Sequence, residues 1–154
     1  MTFRRRRPRR PGGPPPRRRG RPGGRRPPVP PIVQQALARA YRLREDGQFE
    51  EAARIYARLA GEAYKRGRLR PGIKMDLDAA RVYLDGALYE SAQSHLLHAL
   101  QTSLEHAMPL RGIWPLGERI CSAMEASGDA AGAQALRDKI AALLQEHGKS
   151  LDSI

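Results

Sequence analysis

The chain has 154 residues, with 28 Lys and Arg against 16 Asp and Glu, a net charge of +12, and one cysteine. That length suits one domain, or one domain plus a tail, and the single Cys121 excludes an internal disulfide framework and agrees with a reducing, cytoplasmic setting. No apolar run of about 18 residues is available to span a membrane, and none follows the N-terminal arginines as a secretory signal requires.

Residues 1–30 hold 12 Arg, 9 Pro and 5 Gly and no acidic residue, so the net charge lies there and the rest carries 16 basic and 16 acidic residues. These are two kinds of polypeptide. The segment RRRRPRRPGGPPPRRRGRPGGRRPP has almost nothing apolar to bury against the entropy of ordering. Proline and glycine also disfavour helix and sheet. The expectation for 1–30 is a disordered, partly extended arm with a reach on the order of 90 Å, at about 3.1 Å per residue.

From residue 31 to 148 apolar residues recur with helical periodicity, which predicts an all-α domain. The first helix runs from about Ile32 to Asp46 and Gly47 ends it. Phe49 opens a second, continuing to about Lys65, with Ala52, Ile55, Tyr56 and Leu59 at helical spacing. GRLRPG at 67–72 reads as a break, because two glycines and Pro71 punctuate it. The pattern then returns. AARVYLDGALYESAQSHLLHAL aligns with LARAYRLREDGQFEEAARIYARL by setting Ala80 on Ala40 and Ala92 on Ala52, which places Tyr89 on Phe49. A weaker third copy puts Cys121 and Ala133 at the two small positions, a spacing of 40 and then 41 residues. Residues 149–154 read as a short C-terminal tail.

The physical logic is consistent across the copies. Small residues let two helices approach closely, and a larger one near the turn plugs the next gap. One hairpin cannot bury its own apolar face, so neighbours stack into a continuous core.

AYRLREDGQFEEAARIYARLA resembles a tetratricopeptide repeat, with Ala40, Phe49 and Ala52 at the family's small, aromatic and small positions. ARVYLDGALYESAQSHLLHAL is similar through Ala80, Tyr83, Tyr89, Ala92 and Ala99. The third unit departs, with Ala130 for the turn aromatic and Arg137 where a large apolar residue is usual. The period exceeds the usual 34 and is closer to long variants of the family. The resemblance implies about six helices in three stacked hairpins, a right-handed α-solenoid. It also implies a concave surface lined by the first helices that takes a peptide. By position that groove includes Gln34, Tyr41, Arg44, Lys74, Arg81, Glu118 and Ser122, and the basic character of its first two repeats favours an acidic peptide.

No arrangement for catalysis emerges, and the chain is expected not to be an enzyme and to need no cofactor or metal. His95 and His106 share a helix face but stand roughly 16 Å apart along the axis. His95 and His98 form a pair without a third nearby ligand, an incomplete zinc site. Cys121, at a small repeat position, reads as packing. Ser91 and Ser94 lack a nucleophile elbow, and no phosphate loop or paired carboxylates are present.

Binding is the remaining class. The arm's guanidiniums, among them Arg17, Arg18, Arg19, Arg21, Arg25 and Arg26, suit phosphate contacts that release counterions. Arg19-Gly20-Arg21-Pro22 resembles the core of an AT-hook, which reads narrow A·T-rich minor grooves. Lys65, Arg66, Arg68, Arg70 and Lys74 add a basic run at the inter-repeat connection, of which Lys65 and Arg66 also complement a helix C-terminus. Three readings follow: an adaptor with a protein or peptide partner and a polyanion-binding arm; a nucleic-acid-binding protein whose helical domain dimerises or recruits; and, ranked below both, anchoring of the arm to anionic membrane, since no acyl site or amphipathic apolar face adjoins the arginines.

Overall fold

A computed structural model describes residues 28–151; the expectations for 1–27 and 152–154, including all six arm arginines named above, lie outside the described residues. The described chain is all-α. Its helices are α1 (Pro31–Glu45), α2 (Phe49–Lys65), α3 (Leu69–Asp85), α4 (Tyr89–Glu105), α5 (Ile113–Ala126) and α6 (Ala130–Glu146). Consecutive helices pack against each other. Three-residue connections force an up-and-down path, except for the longer link of residues 106–112 between α4 and α5.

Each helix end has a local cause. Pro31 sits where its missing N–H costs nothing, and the Pro30 carbonyl accepts the first bonds, from the amides of Val33 at 3.0 Å and Gln34 at 3.1 Å. At the other ends, a residue with positive φ recurs every 20 or 21 positions: Gly47, Gly67, Ala87, Ala107, Gly128 and Gly148. After each, the next amide donates back to the preceding turn, as Gln48 does to the Leu43 carbonyl at 2.8 Å and Leu88 to that of Tyr83 at 2.9 Å. Ala87 and Ala107 hold this left-handed conformation with a Cβ, at φ of 55° and 50°. Replacing either by glycine should therefore stabilise the fold by roughly 0.5–1 kcal/mol, the strain relieved exceeding the entropy added to the unfolded chain. Urea melts check the sign.

The break expected at 67–72 is shorter. Only Arg66–Arg68 is non-helical, and Pro71 and Gly72 lie in the first turn of α3. A first turn tolerates proline because its amides have no intrahelical acceptor. Gly72 is there for packing, as described below. Ala130 opens α6 without an aromatic residue, and Asp129 caps it instead, accepting from the Gly132 amide at 2.8 Å. Arg137, out of place in an apolar pattern, ties α5 to α6 through Glu118 at 3.2 Å and Glu125 at 2.5 Å.

The repeat register holds in the packing. Ala40, Ala52, Ala80, Ala92, Cys121 and Ala133 all have 0% exposure, as small residues between closely packed helices should. Phe49 and Tyr89 pack against the edge of the same core. In α5, a Cβ on Gly117 would lie 3.1 Å from Ile140 and 3.4 Å from Leu96, so α5 presses its backbone against α4 and α6.

The up-and-down path also sorts charge. The turns after α1, α3 and α5 share one end of the stack. Segment 45–51 has four carboxylates and segments 85–90 and 125–130 two each, with no Lys or Arg in any of them. The opposite end carries segment 65–70, with four cations and no carboxylate, and segments 105–113 and 145–150, with one carboxylate and one Lys or Arg each. The start of α1, and so the attachment point of the arm, lies at this basic end.

Candidate functional site

Of the residues expected to line a groove, Gln34, Tyr41 and Arg44 lie on α1, Lys74 and Arg81 on α3, and Glu118 and Ser122 on α5. Lys74 and Arg81 are seven residues apart, about 20° in projection, and so share a face of α3. Tyr41 is 58% exposed, although it is one of the larger apolar side chains of the domain. It lines an open cleft of about 630 Å³ with Arg44, Glu45, Phe49 and Asp85.

Charge on this face departs from the sequence expectation. Arg44 pairs with Asp85 at 2.7 Å, Arg81 with Asp78 at 2.6 Å, and Glu118 with Arg137. Two of the cations behind the acidic-peptide expectation are thus already neutralised, and Lys74 makes no ion pair with a described residue. Gln34 donates to the Val29 carbonyl at 2.8 Å, and Ser122 is exposed.

A second constellation lies apart from the residues expected to line a groove. Asp76 of α3 is only 2% exposed and projects to the face of α3 opposite Lys74 and Arg81. There its carboxylate is bonded to His95 Nδ1 at 2.9 Å and His98 Nδ1 at 2.6 Å, and it accepts from the Tyr64 hydroxyl at 2.7 Å. Three helices converge on one carboxylate. His95 stacks on Tyr83 at 5.5 Å and His98 meets the Tyr64 ring edge-on at 5.1 Å. Ala57, Gly61 and Ser94 complete a cleft of about 260 Å³ between α2 and α4.

Burial opposes the charge on Asp76, but the hydrogen bonds from His95, His98 and Tyr64 outweigh it and hold its carboxyl below the usual range. Burial and the bond to that carboxylate push the Tyr64 hydroxyl up. The histidines meet through Nδ1 on one carboxylate, so this is a satisfied polar network. Among the described residues no group of three or more His, Cys, Asp or Glu is placed to hold a metal ion. His106 is apart from it, with Nδ1 against the Thr102 carbonyl at 3.1 Å. Burial raises the Cys121 thiol, which leaves it a packing group rather than a nucleophile.

One sequence signal pointed to this network. Asp76 interrupts the buried stripe Ile73, Leu77, Ala80 of α3, and a carboxylate there demands buried donors. The slot for Tyr64 depends on Gly72, because a Cβ at that position would overlap the ring. Gly72→Ala should cost about 1–3 kcal/mol by displacing Tyr64. Gly61→Ala, whose Cβ meets nothing within 4 Å, should instead stabilise by roughly 0.5–1 kcal/mol through helix propensity. Equal effects of the two in urea melts would contradict this account of Gly72.

No helix of the described residues is long and apolar enough to cross a membrane. The chain matches no protein-family model, no curated protein and no solved structure. What is established is a six-helix stack of hairpins, compatible with a helical repeat.

Proposed function

We propose that this chain is a non-enzymatic adaptor of tetratricopeptide type. It would present the face of α1, α3 and α5 to a protein or peptide partner and bind polyanions through the arm of residues 1–30. The observation that carries this reading is the register: six small residues at repeated positions, all with 0% exposure, beneath a first-helix face that leaves Tyr41 58% exposed. Repeats that stack in this way leave an extended surface free for a partner. The pairing of Arg44 and Arg81 makes the partner's complementarity to Tyr41 and Lys74 one of shape more than of charge.

Affinity capture from nuclease-treated extract tests the groove. A partner retained by the full chain and by Gln101→Leu on α4, but lost with Tyr41→Asp, supports it; equal retention by both variants refutes it. Arm binding is tested separately by anisotropy on duplex DNA and single-stranded RNA, with the full chain and with residues 28–154. The truncation keeps Pro30, whose carbonyl accepts the first bonds of α1. Its unfolding midpoint should stay within about 5 °C of the full chain's. Preference for A·T-rich over G·C-rich duplex, lost on Arg19→Lys with Arg21→Lys, would assign the AT-hook-like segment.

A further inference from the structure

The helix dipole sets the ordinary preference for charge at a helix start: acidic residues are stabilising there and cations are not. The chain follows it in α2, with Glu50 and Glu51 in the first turn, and in α4, with Glu90. α3 does the reverse. Its first turn has no acidic residue, and Arg68 and Arg70 stand at its N-terminal end, with Lys74 one turn further on. Complementing a helix C-terminus accounts for Lys65 and Arg66 but not for these three.

Nor do they pair within the fold. Lys65 reaches Glu62 at 3.3 Å, whereas Arg66, Arg68, Arg70 and Lys74 are exposed and make no side-chain hydrogen bond or ion pair with any described residue. Folding therefore gains no ion pair from these three, and the helix dipole opposes Arg68 and Arg70. Their position is also specific: they lie at the end of the stack from which the arm departs, while the carboxylate-rich turns lie at the other end.

We infer that Lys65, Arg66, Arg68, Arg70 and Lys74 form a surface for the phosphodiester backbone of a nucleic acid. The inference rests on the polyanion half of the proposed function and assigns the helical domain a part in it. Exposed guanidiniums present planar forks that match phosphate oxygens. The opposite, carboxylate-rich end repels the same backbone, so the domain's field orients the ligand onto the basic end. An anionic membrane fits less well: Val29 and Ile32 are the exposed large apolar residues at this end, short of the apolar helix face that interfacial insertion needs.

The test uses the full chain, with fluorescence anisotropy on duplex DNA and on single-stranded RNA across a KCl series. The triple variant Arg66→Gln, Arg68→Gln, Arg70→Gln should weaken binding about tenfold or more near 0.1 M salt. It should also flatten the log–log salt slope by about 2–3, since each lost phosphate contact on duplex removes about 0.9. A control triple, Arg42→Gln, Arg119→Gln, Lys139→Gln, removes equal charge elsewhere and should change the slope by less than about 1. Binding by the full chain with both triples behaving alike would overturn the inference and leave arm binding intact. No binding by the full chain would overturn both. Tighter binding to phosphatidylserine vesicles than to either nucleic acid would overturn the assigned ligand. Arg68→Glu with Arg70→Glu separates function from folding: the unfolding midpoint should hold or rise while binding falls. A lower midpoint would show that the cations serve the fold and would overturn the inference.

Discussion

Asp76→Ala should destabilise the protein by about 2–4 kcal/mol at neutral pH, a large share of the roughly 5–15 kcal/mol a domain possesses. The change removes the acceptor shared by Tyr64, His95 and His98. An unpaired buried donor costs about 1–3 kcal/mol, but the three do not simply add, because the His98 side chain is 56% exposed and can turn to water. Tyr64 and His95 have less freedom, one beneath α3 and the other stacked on Tyr83. The variant also carries a pH signature. The folded Asp76 carboxyl lies below its usual range, so the native state binds fewer protons at this site than the unfolded state. Its contribution is complete above the unfolded value of about 3.9 and is lost as pH falls through the lower folded value. The difference between wild type and Asp76→Ala, measured by urea unfolding, should therefore narrow as pH falls below about 4. A difference that does not narrow on acidification would mean that the carboxylate's bonds are not what the substitution removes.

Leu96→Ala should cost about 3–5 kcal/mol, the upper part of the range for a buried leucine. Leu96 is fully buried on α4, facing α5 at Gly117. The cost of such a deletion depends on how far the surroundings collapse, and here a helix backbone without a side chain faces the void. Gly117 has nothing to extend into it, and Ile140 already packs against the same glycine. The site also joins the third hairpin to the second. Stability in stacked repeats is close to a sum of unit and interface contributions, so weakening this interface should release α5 and α6 before the rest. The urea transition is expected to move to lower concentration and broaden, with a smaller apparent m-value. A loss under about 1.5 kcal/mol with m unchanged would show that α4 and α5 are not coupled through Leu96.

Periodicity in the sequence alone determined that the domain from residue 31 onward is all-α, that α2 runs from Phe49 to about Lys65, and that Ala40, Ala52, Ala80, Ala92, Cys121 and Ala133 are small buried positions. All of these are properties of residues within a few turns of one another, where a 3.6-residue repeat and a small side chain carry their own meaning. Pro71 and Gly72 misled for the same reason. Read locally they end a helix, whereas the fold uses one in a first turn and the other to seat Tyr64. Meetings between helices were decided only in the tertiary structure. Asp76 lies 12, 19 and 22 positions from Tyr64, His95 and His98, and no local rule links them. Arg44 reads as a free groove cation until the stacking of α1 on its neighbours brings Asp85 to it. The separation of acidic and basic ends stands between the two cases. Its charges are visible in the segments 45–51 and 65–70, but their placement at opposite ends required the short connections that reverse the chain at each turn. Side-chain type and spacing specify what each helix buries, and only packing specifies which polar groups share the space that burial creates.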